Sequence, residues 1–168
     1  ITAITLTNDG GGGDGDVNFG DLDTIVNSYQ DNFNTNVAFS FQAGDTIDID
    51  SSDELSAYLT DIGSGALVLT NQNVTVDSSV GVSVADAKSI AADTTGTVTA
   101  LIASGSRVSD LTELRDPDGA GEGGNEENAW TITLHNADAT AATAAELNTI
   151  NAATSVAVTS AAITGLAA

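Results

Sequence analysis

The stretch SVADAKSIAADTTGTVTALI, residues 83–102, changes period part-way along its length. Its first half reads as a short amphipathic helix with Asp86 in the first turn. Thr94-Thr95-Gly96 then forms a polar turn, and TVTALI at 97–102 is a Val/Thr-rich strand. The stretch TAAELNTINAATSVAVTSAAI, residues 143–163, repeats the pattern 60 residues later. The shift sets Ala85 on Ala145, Ile90 on Ile150, Ala92 on Ala152, Thr94 on Thr154, Val98 on Val158 and Thr99 on Thr159.

Three further stretches fit the same helix–turn–strand plan. One runs from Asp21 to the strand at 37–41, one from Ser52 to ALVLT at 66–70, and one from Ser109 to WTITLH at 130–135. Ser52 and Thr143 stand just ahead of acids in the way of helix N-caps, and Thr143 with Glu146 has the spacing of a capping box. Helices this short are marginal alone and must bury their apolar faces on neighbours. The expected fold is therefore mixed α/β, a solenoid-like stack of short helix–strand units, with an all-β sandwich carrying short helical turns as the alternative.

At 168 residues the chain suits one repeat-built domain over 1–168. It divides into a terminal strand at 1–7, a Gly/Asp loop and helix at 8–29, and helix–strand units over 30–168. The terminal strand can be an edge strand of its own domain or pair with a neighbouring chain. The units are interrupted by the acidic loop 115–128, which holds the only Pro and the candidate cation ligands Asp116, Asp118 and Glu122.

The net charge is −21, from 24 acids against Lys88, Arg107 and Arg115. Nucleic acid and anionic membrane surfaces would meet repulsion, and no apolar run approaches bilayer length. Asp dominates the acids, and Asp is the residue of turns and of oxygen cages for hard cations. A strongly acidic surface also serves solubility in a salty medium, and both readings can hold together. With no Cys or Met, disulfides and thiol chemistry are absent. The sequence opens at Ile1 with no signal-type segment, which reads as a processed product or a piece of something larger.

The segment NDGGGGDGDVNFGDLDTIVNSY, residues 8–29, sets out a calcium-type loop. On the twelve-residue EF-hand frame Asp14 takes position 5, Gly15 the sharp turn, Asp16 position 7, Val17 the apolar position 8, Asn18 position 9 and Asp21 position 12. Gly10 and Gly12 fall where the first ligands belong, so Asn8 or Asp9 must loop back to complete a cage, unless the loop serves the fold without metal. The expected Ca2+ ligands are Asp9, Asp14, Asp16, Asn18 and Asp21. A possible second site is Asp48, Asp50 and Asp53 within GDTIDIDSSDE, also containing Asp45 and Glu54, where strand alternation sends Ile47 and Ile49 inward and the acids outward.

The stretch DGDVNFGDLDTIV resembles one calcium loop and helix of a dockerin module over about 20 residues, with Asp for the usual Glu at position 12. There is no second copy, so cohesin binding is not implied. Residues 83–102 and 143–163 resemble the Ala/Thr/Val-rich repeats of large cyanobacterial surface proteins and phage fibre proteins. That resemblance implies a structural role at a cell or virion surface and brings no catalytic residues.

Enzymatic readings find little. The Gly tract at 10–13 lacks the Lys-Ser/Thr of a P-loop, no GxSxG elbow occurs, and His135 is the only His. A carboxylate-only glycosidase would need aromatic platforms, and only Trp130, Tyr29 and Tyr58 are at hand. The expected function is thus a non-enzymatic structural or adhesive module of a secreted, surface or virion assembly, stabilised by calcium. Its partners would be copies of itself or neighbouring domains. The alternative is a calcium-dependent carbohydrate-binding module, with glycan stacked on Trp130.

Overall fold

The computed structural model describes residues 3–6, 16–33, 38–41, 45–115, 128–134 and 142–160. The strands are β1 (Ala3–Leu6), β2 (Asp16–Asn18), β3 (Ala38–Phe41), β4 (Thr46–Ile49), β5 (Asn73–Val76), β6 (Gly81–Val82), β7 (Val98–Ile102), β8 (Ala129–Thr131), β9 (Thr133–Leu134) and β10 (Thr159–Ser160). The helices are α1 (Phe19–Phe33), α2 (Ser52–Ser64), α3 (Val84–Asp93), α4 (Val108–Leu111) and α5 (Ala144–Ala152). A 3₁₀ turn at Thr112–Leu114 continues α4. Five helices against a mostly parallel sheet make the chain mixed α/β; the all-β sandwich is not what forms.

Every described strand pairing is parallel. The main sheet follows chain order, β2 to β4 to β5 to β7 to β8, with β6 lying beside the end of β7. Its register sets Val17 beside Ile47, Ile47 beside Val74, and Val74 beside Val98. Beyond it β9 pairs with β10, and β1 pairs with β3 of the same chain.

Parallel neighbours need crossovers, and α2 and α3 supply them between β4, β5 and β7. Alternate strand residues turn inward: Ile47, Ile49, Val74, Val76, Val98, Ala100 and Ile102 are buried. They share one cluster with Leu55 and Tyr58 of α2, Ala87 and Ile90 of α3, and Ile150 of α5. The helices therefore cover the inward face.

The cap of α2 is Ser51, one residue before the expected Ser52, which becomes the first helical residue; Ser51 accepts from the Glu54 N–H. Ser83 accepts from the Asp86 N–H, and Thr143 forms the expected full capping box with Glu146. The 60-residue repeat has a structural counterpart in two buried hydroxyls. Thr94 Oγ1 donates to the Gln72 carbonyl at 2.6 Å and accepts from the Gly96 N–H, while Thr154 Oγ1 donates to the Trp130 carbonyl at 2.8 Å and accepts from the Val156 N–H. Each threonine ties the turn after a helix to the preceding strand.

Three strand expectations need correction. ALVLT at 66–70 is not a strand: Ala66, Leu67 and Leu69 are buried as a connection over the core, Val68 is exposed, and the strand is NVTV at 73–76, which pairs with β4. VAVTS at 156–160 shortens to Thr159–Ser160, and WTITLH breaks at Ile132 into β8 and β9. His135 and the loop carboxylates Asp116, Asp118 and Glu122 lie outside the described residues.

Candidate functional site

Asn18 and Asp50, one residue from each of the two expected cation sites, meet at one end of the sheet. Asn18 ends β2 and Asp50 follows β4, so the parallel pairing brings them side by side, with Asn18 in register with Asp48. Asn18 Nδ2 donates to Asp50 Oδ2 at 2.8 Å. The Asp50 N–H donates to Glu54 Oε2 at 2.8 Å, and the Glu54 N–H donates to Ser51 Oγ. Helices α1 and α2 both begin here, so two positive dipole ends face Asp21, Asp50, Asp53 and Glu54. Strand alternation also holds as expected, with Ile47 and Ile49 buried, Asp48 half-buried and Asp50 exposed.

Asn18 has a second task. Its Oδ1 accepts from the backbone N–H of Gly20 at 2.9 Å and of Asp21 at 3.3 Å, the geometry of an N-cap for α1. Its side-chain oxygen is thereby committed to the helix, whereas the EF-hand frame gave it to a cation. A Cβ on Gly20 would come against the Glu54 carboxylate, which would have to shift, so the starts of α1 and α2 lie close together here. Asp21 is exposed in the first turn of α1. Asp9 and Asp14 lie outside the described residues, as does Gly15. Among the described residues no three carboxylates or imidazoles converge as a metal cage.

Asp45 stands apart from the other acids. It directly precedes β4, is buried, and its Oδ2 has no hydrogen-bond partner. Register places it one step from Thr46, the partner of Asp16 on β2. A buried carboxylate oxygen with no donor is costly, and a cation is one way to offset that cost.

A second titratable group was not legible in the sequence. Tyr58 lies under the helices, edge-on to Phe19 with ring centroids 5.4 Å apart, and its hydroxyl has no partner. Burial, reinforced by the charge of Asp93, pushes that hydroxyl well above its ordinary range. Desolvation raises the Asp93 carboxyl to about 6. Asp61 is also raised, by burial first and by Asp23 second. The opposite holds at two turns, where hydrogen bonds from Ser79 hold Asp77 below the usual carboxylate range and those from Thr143 do the same for Glu146. The available signal was an acid in or near the last helical turn with no basic residue beside it, as at Asp61 and Asp93.

Trp130 is buried, 1% exposed, beneath the sheet. Its indole offers no stacking face to a sugar, which removes the aromatic platform expected of the carbohydrate-binding alternative. Comparison with protein-family models, curated proteins and solved structures returns no match to this chain. No helix among the described residues is long and apolar enough to cross a membrane.

Proposed function

We propose that the chain is a non-enzymatic structural or adhesive module of an extracellular assembly, built as a stack of helix–strand coils and stiffened by calcium. The strand register carries this reading. Asp16 pairs with Thr46, Thr46 with Asn73, Val74 with Val98, and Thr99 with Ala129. Each partner lies 24 to 30 residues further on, a spacing typical of stacked repeats in which a coil buries its core on the next. The matched roles of Thr94 and Thr154 support it. Such a stack can lengthen by adding coils, which suits a filament, surface layer, adhesin or fibre better than a catalytic pocket.

Calcium is assigned to the β2–β4 pair. Support comes from the start of these strands, where the unpartnered Asp45 oxygen lies one step from Thr46, the register partner of Asp16, and where the preceding loop supplies Asp9 and Asp14; at the opposite end Asp50 bonds Asn18, with Asp48, Asp53 and Asp21 as the further expected ligands. The surplus of acids, a net charge of −21, fits a secreted or surface setting where calcium supplies counter-charge. The test is thermal melting at fixed ionic strength with calcium or with chelator. A midpoint raised by calcium and lost in Asp45→Asn supports the assignment, and an equal midpoint in both conditions removes calcium from the reading. Electron microscopy of the purified chain tests assembly separately.

A further inference from the structure

Among the described residues, strand alternation leaves the outward face of the main sheet without a helix, because the packed helical side chains share their cluster with the inward residues. Towards β2 and β4 this face is acidic. From β5 to β8, and on the separate β9–β10 pair beyond it, the strand positions carry no charge, in a chain of net charge −21. Threonines recur there instead. Thr75 lies in register with Thr99, Thr97 precedes Thr99 on the same face, Ala129 of β8 lies beside Thr99 and Thr131 beside Leu101, and Thr133 lies in register with Thr159.

These hydroxyls differ from others in the chain. Thr60, Thr112 and Thr149 turn theirs back onto backbone carbonyls. Those of Thr75, Thr97, Thr99 and Thr131 make no hydrogen bond among the described residues. Thr133 and Thr159 bond only near their own ladder, their hydroxyl oxygens 3.0 Å apart. Register spaces Thr75 from Thr99 and Thr133 from Thr159 at about 4.8 Å across strands, and Thr97 from Thr99 at about 6.7 Å along one. The β-branched side chain is stiff, so the array is held before anything binds.

The chemistry of the face selects its occupant. It has no charge for an ionic polymer. Trp130, Tyr58 and Phe19 are buried beneath the sheet, so no aromatic platform meets a sugar ring. The uncharged area is roughly 300 Å² by strand spacing and rise, well short of the roughly 800 Å² per partner of a stable protein interface. A hydroxyl both donates and accepts, and the methyl beside it orders water at its surface. A fixed two-dimensional array of such pairs matches a surface whose own donors and acceptors repeat every few ångströms. Many weak contacts to one lattice then act together.

We propose that the outward face of β5 and β7 to β10 is an ice-binding surface, on which these threonines dock against the water lattice of a growing crystal face. The inference rests on the strand register and not on calcium, so melting with chelator cannot decide it. The test is the gap between the melting and freezing points of a single ice crystal in a solution of the full chain, with crystal shape followed by microscopy. The unmodified chain should open that gap and facet the crystal. Thr99→Tyr and Thr131→Tyr, at exposed positions, should abolish both while circular dichroism stays unchanged, and Ser56→Tyr on the far side of α2 should keep both. An unmodified chain that behaves as a non-binding control protein overturns the proposal, as do face variants with full activity. So does a dimer in sedimentation velocity that the face variants dissociate, since the face would then belong to a second copy.

Discussion

At the scale of single residues, stability is decided by polar groups placed under the helices. Asp93 is the clearest case, since its Oδ2 is buried without a partner and its carboxyl is raised to about 6. The folded state then holds a proton that the unfolded chain releases near the ordinary carboxylate range. Between those two values stability falls as pH rises, and above about 6 the carboxyl contributes its full penalty. Asp93→Asn should flatten that part of the pH–stability curve and raise stability at neutral pH by about 1 kcal/mol, the linkage being discounted because part of the carboxyl faces water. Urea denaturation at pH 4 and pH 7 checks it, and an equal effect at both values would assign Asp93 another role. Thr154 works in the opposite sense, satisfying the Trp130 carbonyl and the Val156 N–H from a buried position. Thr154→Val keeps the shape and loses both bonds, which should cost about 1–3 kcal/mol, with Thr94→Val costing a similar amount. A much smaller cost at one of the two would break their equivalence.

At the scale of elements, the close approach of successive strands is set by backbone as much as by side chains. A methyl group at Gly96 would overlap the Gln72 carbonyl and the Asn73 N–H that lead into β5. Gly96→Ala should therefore force β5 and β7 apart and cost about 1–3 kcal/mol. Gly63, near the end of α2, has open space around it, and Gly63→Ala should stabilise by about 0.5–1 kcal/mol through helix propensity. Opposite signs in chemical denaturation are the expected result. The helices were the most legible elements, because Ser83 and Thr143 carry their caps in local sequence and α3 and α5 begin where those caps place them. Strands were less so. ALVLT has the residue types of a strand, but the hydrogen bonds of β4 are taken by NVTV, whose two apolar residues suffice once Ile47 and Ile49 fix the register. The candidate site was legible as two acidic segments and illegible as one place, since the Asn18–Asp50 contact spans 32 residues and exists only through the pairing of β2 with β4. The buried state of Asp61 and Asp93 likewise depends on how α1, α2 and α3 pack, which helical periodicity does not specify.

At the scale of the whole molecule, charge and architecture pull against each other. The mixed α/β fold shares one buried cluster among its described elements, and its largest wholly buried side chains, Trp130, Tyr58 and Phe19, are spread over different elements. Against that core stands a net charge of −21, with one described ion pair, Lys88 Nζ to Glu113 Oε2 at 3.0 Å, which is exposed and contributes little. Self-repulsion of this size destabilises the compact state and is weakened by any salt, because raising ionic strength from about 10 mM to about 150 mM shortens the screening length from about 30 Å to about 8 Å. With chelator present, the melting temperature should therefore climb with sodium chloride and level off once the screening length is short against the spacing of the acids. Calcium added on that plateau isolates the specific part, since general screening is then already saturated and any further rise would report ligation, which the proposed site places at the β2–β4 pair. A melting temperature indifferent to salt would mean that the acids are too dispersed to strain the fold, and their number would then reflect solubility rather than a need for counter-ions.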